Sequence, residues 1–432
     1  PVIGWGLRAW GVIPVDGKGG ARALMAAVQS ATDEAAAGNV VGLFPEGKMT
    51  RSGMLDTFKP GIERIAQRAN VPIVPCAIEG LWRTPYSYAE RKHWWPLLRI
   101  PVRIRLGPAL PPDTTAGELR QAVGALFSDL AHQRAVQDKR TLGIAALRRC
   151  RRHPMQAAVI EAGGGLERWK LAAMALALRP RLGFAQDESA VGIMLPPGRG
   201  GAIANLAVAL AGRTAVNLNH TVGIHQVRRM CELSGIRTII TAEPYLKRIG
   251  LTELPGRLVL LEQVLPTIKP MTVMFQAVTL YAWPVRWRCR SRPDAVAALV
   301  FSSGSTGDPK GVQLTHQQIL ANCVSVRAAL DVDVGDVVLT PLPLFHSMGL
   351  VPGFWLALDC GLTIAAHPDP MDAKGIGALA EKTQATFTIT TATFVRGWMR
   401  RVEPEQFRSL RFAVAGAERC PADLRQSFKT KY

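Results

Sequence analysis

Short apolar runs alternate with stretches of helical period along most of the chain. Met155–Glu161 and Ala190–Leu195 read as strands, with a helix over Leu166–Leu178 between them and Pro196-Pro197 closing the second strand. Gly201–Ala211 reads as a helix, and Arg213–Asn217, Arg237–Ala242 and Arg257–Leu261 as further strands. Ala295–Phe301 reads as a strand running through a Gly/Ser loop into a helix over Gln317–Val326. Phe412–Glu418 reads as a buried strand with a glycine turn. Strands alternating with helices predict a layered α/β domain with a largely parallel sheet.

The first third is less regular. Val40–Phe44 predicts a short buried strand, Pro60–Asn70 a helix with Pro60 near its start, and Val71–Ile78 a returning strand. Ile100–Leu106 alternates, placing Arg103 and Arg105 on one face of a strand. Thr114–Val136 has helical period, with Leu119, Val123, Leu126, Phe127 and Leu130 on one stripe. The polar stretch Gln133–Arg140 then marks a boundary, giving domains 1–137 and 138–432.

Composition narrows the class. At 432 residues, 48% hydrophobic and 20% charged, the chain is globular and long enough for more than one core. Its seven cysteines lie apart with no CxxC, so they read as reduced thiols without a zinc or disulfide framework. No apolar stretch reaches transmembrane length. The net charge of +19 is partly concentrated in two runs, Arg148, Arg149, Arg151 and Arg152, then Arg286, Arg288, Arg290 and Arg292 around Trp287. Such runs suit an anionic membrane surface or a solvated face. No nucleic-acid motif accompanies them, so no nucleic acid is expected as a partner.

The most informative string is Phe301-Ser302-Ser303-Gly304-Ser305-Thr306-Gly307-Asp308-Pro309-Lys310-Gly311-Val312. Glycines let backbone N–H groups approach a phosphate, hydroxyls donate to it, and a lysine balances its charge. The spacing is neither a Walker A loop nor a dinucleotide fingerprint. The string resembles the phosphate-binding loop of the adenylate-forming enzymes, the acyl-CoA and acyl-carrier-protein synthetases and their relatives. That resemblance implies ATP and Mg2+ as cofactors and makes Ser302, Ser303, Gly304, Ser305, Thr306, Gly307 and Lys310 phosphate contacts. It also places Phe345 and His346, in the Pro341–Leu350 block, at the acyl pocket, and Gly416, Ala417 and Glu418 against adenine and the acyl carboxylate.

Upstream, three blocks follow one another: Gly11–Asp16, Phe44–Ser52 with Phe44-Pro45-Glu46-Gly47, and Val71–Gly80. This succession resembles the glycerophosphate acyltransferases, and implies that Glu46, Gly47 and Arg51 contact the acceptor's phosphate or head group. Where that family often has an arginine after the aspartate, Gly17 and Lys18 stand here. The family's catalytic His-x-x-x-x-Asp is not found ahead of Gly11. The one such spacing, His367 to Asp372, contains Pro368 and Pro370 and reads as a loop coincidence.

The expected fold is therefore α/β throughout, an acyltransferase-like domain followed by the N-terminal part of an adenylate-forming domain. This order resembles the bacterial bifunctional enzymes joining 2-acylglycerophosphoethanolamine acyltransferase to acyl-acyl-carrier-protein synthetase. The resemblance implies a fatty acid, a lysophospholipid, and acyl carrier protein or CoA as partners. It also implies peripheral attachment to an anionic membrane at the cytoplasmic face of the bacterial inner membrane. Two other classes fit the same residues. One is a long-chain acyl-CoA synthetase with an inactive, membrane-docking first domain; the other is a non-catalytic lipid-binding scaffold. The chain opens without Met and ends before the adenylating family's magnesium-holding Glu, ribose-binding Asp and catalytic Lys, so it reads as a fragment with no catalytic or metal-ligating residue to assign. Pro1–Tyr432 alone is expected to catalyse neither reaction, and fatty-acid-dependent pyrophosphate exchange and acylation from a supplied thioester test this. Turnover in either assay would locate catalytic groups within the chain.

Overall fold

The computed structural model describes residues 11–13, 20–51, 53–82, 84–85, 87–89, 102–251, 253–283, 289, 291–302 and 308–432. The chain divides into two units, Pro1–Arg134 and Ala135–Tyr432. Among the described residues no helix is long and apolar enough to cross a membrane.

In the first unit, helix Gly61–Ala69 follows Pro60 and stops at Asn70. That residue adopts the left-handed conformation, and its N–H bonds back to Ala66 and Gln67 carbonyls. The expected strand Val71–Ile78 is shorter: β1 is Cys76–Glu79, paired antiparallel with β2, Arg103–Leu106. Pro72 and Pro75 have no N–H to donate, so only the isolated Ile73–Leu110 bridge precedes the ladder. Val40–Phe44 is not a strand, and Val40, Leu43 and Phe44 are exposed. An apolar run becomes a strand only beside a partner edge, and no described strand lies next to it. Helix Ala116–Gln137 presents the expected stripe: Leu119, Val123, Leu126 and Leu130 pack with Ala66, Ile73 and Ala77, and Phe127 lies at the margin.

The second unit contains two six-stranded sheets rather than one. The strands are β3 (Ala157–Glu161), β4 (Gly164–Glu167), β5 (Ala190–Ile193), β6 (Thr214–Asn217), β7 (Thr238–Thr241), β8 (Arg257–Leu260), β9 (Val296–Ser302), β10 (Lys310–Thr315), β11 (Val337–Thr340), β12 (Thr363–Ala366), β13 (Phe387–Thr390) and β14 (Phe412–Ala415). One sheet runs β10-β9-β6-β5-β7-β8, the other β14-β13-β11-β12-β3-β4. All pairings are parallel except two edge hairpins, β9–β10 and β3–β4. β4 takes the residues expected to start the helix, which therefore begins at Arg168.

Lys310 opens a strand. The loop after β9 does not lead into a helix. It returns as β10, with Lys310 paired to Ser302 and Gly311 to Phe301. Gly311 tolerates the close approach of Leu299, whose Cδ1 would lie 3.0 Å from an added Cβ. The helix His316–Leu330 starts only after β10, at a capping box formed by Thr315 and Gln318. Nor is β14 deeply buried; all four of its residues are half-buried.

Helices Arg168–Leu178 and Arg199–Ala211 are buried almost throughout, and their side chains share one core with residues of both sheets, including Val191, Val159, Val338 and Ile389. The polar groups drawn into this core are paired. Arg168 donates to Gln156 Oε1 at 2.6 Å and to the Gly361 carbonyl at 2.5 Å. The amides of Asn205 and Asn217 bond reciprocally at 2.9 and 3.2 Å. Arg149, read from sequence as part of a basic surface run, turns inward and donates to the Asp359 carbonyl at 2.9 Å.

His316 is buried, and its Nδ1 accepts the Leu142 N–H at 3.2 Å. Burial pushes its pKa down to about 4. In the unfolded chain a histidine titrates near 6.5. Between these values the unfolded chain binds more protons, so stability falls as pH drops from ~6.5 towards ~4, by up to about 3 kcal/mol. Urea melts at stepped pH check this. His316→Gln, which keeps an acceptor but does not titrate, is expected to flatten the slope in that window.

Candidate active site

In parallel α/β sheets, ligands bind beyond the carboxyl ends of the strands, where the chain reverses its order across the sheet. The second unit has two such points. In the first sheet β5 is flanked by β6 on one side and β7 on the other; in the second β11 is flanked by β12 and β13. Beyond β11 comes Pro341-Leu342-Pro343-Leu344-Phe345-His346, so the sequence-derived acyl block leaves a switch point. Beyond β6 come Leu218, Asn219 and His220.

These two carboxyl edges meet through aromatic rings. His220 packs edge-on against Phe345 with ring centroids 5.5 Å apart, and Phe345 contacts His346 at 4.6 Å. On its other side His220 lies edge-on to Tyr245 at 5.7 Å, with the Tyr245 hydroxyl 3.3 Å from His220 Nδ1. Burial lowers the pKa of His220 and His346 and raises that of Tyr245 to about 12. All four rings are therefore uncharged at neutral pH. Such a wall suits an apolar group better than an ionic one. Sequence reading missed His220 and Tyr245; the available signal was their position just after β6 and β7.

The turn carrying Phe345 and His346 depends on close backbone approach. A Cβ on Gly349 would collide with the Pro343 carbonyl oxygen and come within 2.9 Å of that of Leu342. Met348 lies over Gly416, where an added Cβ would be 2.8 Å from Met348 Cε. The Phe345–His346 block and the Gly416–Glu418 block are thus brought together. Ala417 has φ +64, an unusual conformation for a residue with a side chain. Glu418 accepts from the N–H and hydroxyl of Thr393, at 2.6 and 3.0 Å, and so caps helix Ala392–Met399. The Thr393 backbone N–H foremost lowers its pKa.

At the phosphate string, Ser302 ends β9 at the carboxyl edge and Lys310 opens β10, both exposed. Ser303, Gly304, Ser305, Thr306 and Gly307 lie outside the described residues. Just after them Asp308 receives a two-pronged ion pair from Arg229, at 2.9 and 2.8 Å, which holds the Asp308 carboxyl below its ordinary range. Arg229 belongs to helix Ile224–Ser234 and was not anticipated.

The His367–Asp372 pair does meet, with Nε2 to Oδ2 at 3.4 Å. Asp372, however, caps helix Ala373–Thr383 through the Gly375 N–H at 3.0 Å, and His367 Nδ1 lies against the backbone of Asp369. This is loop and cap chemistry.

In the first unit Gly47 takes φ +66 at a turn closed by its N–H on the Phe44 carbonyl at 3.1 Å. Glu46 accepts the Asp56 N–H at 2.8 Å, and Lys48 pairs with Asp56 at 2.8 Å. Asp56 falls to about 2, chiefly through Lys48. Arg51 is exposed, its guanidinium 5.6 Å from the Tyr88 ring centre. Glu46 therefore braces the loop while Arg51 offers an accessible cation. Pro14–Lys18, Ser52, Trp94, Trp95, Arg286, Trp287, Arg288 and Arg290 lie outside the described residues. Among the described residues no three His, Cys, Asp or Glu side chains cluster as metal ligands.

A sequence model of the family described as AMP-binding enzyme matches residues 167–432, and one described as Acyltransferase matches residues 1–79. Among curated relatives, 4-coumarate–CoA ligase 3 of Oryza sativa subsp. japonica is 30% identical over 241 residues, 52% of this chain and 41% of its own length. The 3-hydroxybenzoate–CoA/4-hydroxybenzoate–CoA ligase of Thauera aromatica is 30% identical over 138 residues, 32% of this chain and 26% of its own. The chain thus spans less than half the length of these relatives. Among solved structures, the complex of VinN with L-aspartate superposes with a TM-score of 0.56 at 19% identity, over 68% of this chain and 73% of that one.

The Gly349 geometry is testable. Gly349→Ala is expected to destabilise the second unit by about 1–3 kcal/mol through overpacking against backbone. Gly397→Ala, at a helical position with open space around it, is expected to be neutral or to stabilise by up to ~1 kcal/mol. Thermal melting of both variants checks the contrast; equal shifts would show that the Pro341–Gly349 turn is not tight.

Proposed function

The chain belongs to the AMP-binding enzymes, and from that premise we propose that the protein activates a fatty acid with ATP and passes it, as a thioester, to a lysophospholipid. The observation that carries this reading is the order of two matches in one chain, acyltransferase at 1–79 and AMP-binding at 167–432. An enzyme that makes a thioester joined to one that consumes an acyl donor forms a two-step sequence. The uncharged aromatic wall of Tyr245, His220 and Phe345 supports an apolar acyl group as the activated substrate.

In this proposal the fatty acid carboxylate attacks the α-phosphate of ATP and pyrophosphate leaves; a thiol then attacks the acyl carbonyl of the acyl-adenylate, forming the thioester and releasing AMP. Charge builds on the departing phosphates, and the groups at hand to offset it are the Lys310 ammonium and the Ser302 hydroxyl at the carboxyl edge. Ser303, Gly304, Ser305, Thr306 and Gly307 take the same role by resemblance alone. Mg2+, implied by the family resemblance, would be carried mainly by phosphate oxygens and water. Phe345 and His346 line the acyl path, with Gly416, Ala417 and Glu418 beside it. In the first unit Arg51 meets the acceptor's phosphate, and Glu46 and Gly47 hold the loop that presents it.

The acceptor thiol has two candidates. Domain order favours acyl carrier protein; the relatives named above favour CoA, being CoA ligases by name. With a lipid acceptor, the reading implied by the resemblance is peripheral attachment at the cytoplasmic face of a bacterial inner membrane.

Single substitutions separate the two steps. In the full-length protein, Lys310→Ala and Thr306→Ala are expected to lower fatty-acid-dependent pyrophosphate exchange and to spare acyl transfer from a supplied thioester. Arg51→Ala and Glu46→Gln are expected to do the reverse. Loss of one charged contact, ~1.5–3 kcal/mol, means at least a tenfold drop. Equal loss of both activities in any variant would mark unfolding, and unchanged exchange in both loop variants would remove the phosphate role.

A further inference from the structure

Helix Pro270–Ala282 is apolar on two faces, and the fold accounts for only one of them. Leu280 is fully buried in the core shared by the two sheets, and Val273 packs against it. On the opposite face Met271, Met274, Phe275, Val278 and Tyr281 follow one another at helical spacing, and all are exposed, Met271 by 77% and Phe275 by 58%. The stripe runs the length of the helix and contains no charge. Folded soluble proteins rarely leave a contiguous apolar patch beyond a few hundred Å² open to water unless something binds there.

The border of the stripe is basic. Arg151 stands over the Tyr281 ring at 5.8 Å, and the Tyr281 hydroxyl donates to the Arg151 carbonyl at 3.3 Å. Arg148 and Arg152 are exposed on the same helix, Leu142–Arg152, and Lys269 is exposed ahead of Met271. Pro270–Ala282 itself has no acidic residue. Phenol and guanidinium therefore meet at the C-terminal end, while methionine, phenylalanine and valine occupy the rest. Amphipathic rings and cations gather at that boundary when a helix lies in a membrane interface. At 13 residues the helix is too short to span a bilayer, so its place is flat on the surface. A second copy of this chain is the poorer occupant, because each copy carries +19 and would bring like charge to the same rim.

We infer that the outer face of helix Pro270–Ala282 docks on an anionic lipid bilayer, with Phe275 and Val278 entering the acyl boundary and Arg148, Arg151 and Arg152 meeting lipid phosphates. This rests on the reading that the substrates are lipids, and it names the surface through which the protein reaches them.

The test is flotation of the chain with vesicles of phosphatidylcholine and phosphatidylglycerol in equal parts, against phosphatidylcholine alone. Binding at least tenfold tighter to the anionic vesicles is expected, weakening as salt rises. Phe275→Glu with Val278→Glu is expected to reduce it at least tenfold with the melting temperature unchanged. If that pair unfolds the chain, Met271→Glu, at the most exposed position of the stripe, takes its place. Arg148→Glu with Arg152→Glu is expected to weaken binding and to blunt the salt dependence. Wild-type binding by the folded stripe variants overturns the proposal. So does a chain that ignores vesicles but forms a dimer, or a complex with an acidic carrier protein, that the stripe variants break. Pyrophosphate exchange by the full-length protein without vesicles is read separately. Exchange without vesicle binding overturns the docking surface alone, and vesicle binding without exchange overturns the reading beneath it.

Discussion

The second unit depends on burying two helices, Arg168–Leu178 and Arg199–Ala211, in a core shared by two mostly parallel sheets. Parallel sheets need cover on both faces. Alanine and glycine make up seven of the thirteen residues of Arg199–Ala211, so its backbone can pack close to strand, and both helices are apolar nearly all round. The shared core fixes how the carboxyl edges of the two sheets face each other. The contact of His220 with Phe345 joins those edges, as do the ion pairs Arg248–Asp369 and Arg199–Glu161.

Much of this was legible in the chain. The β5–β8 segments came out close to their observed bounds because each short apolar run is followed by a helix of clear period. The stripe Leu119–Leu130 was readable for the same reason. Three features were not. Val40–Phe44 has strand composition, yet pairing is a tertiary fact that composition does not carry. Lys310–Thr315 was hidden because the Gly/Ser string drew attention to phosphate chemistry, while the alternation of Val312 and Leu314 just beyond it is the signature of a returning strand. That the alternating strands form two sheets rather than one is set by order across each sheet, which local pattern leaves open.

The candidate site divides the same way. Phe345, His346 and the Gly416–Glu418 block were named by resemblance, on local strings, and the fold sets the two blocks together. His220, Tyr245 and Arg229 could not, since each is ordinary in its own stretch and acquires meaning only from what the fold sets opposite it. Glu46 shows the reverse case. Its string marks it as a ligand contact, while its carboxylate is already engaged with the Asp56 N–H.

The β9–β10 hairpin has a consequence for how this family of loops can vary. Pairing of Ser302 with Lys310 clamps both ends of the intervening segment to the sheet. Closure entropy of a longer connection costs about 0.6 kcal/mol for each doubling of its length. A change of length there is therefore a small term beside the paired strands that flank it. The strand register is thereby fixed independently of the sequence between Ser302 and Lys310.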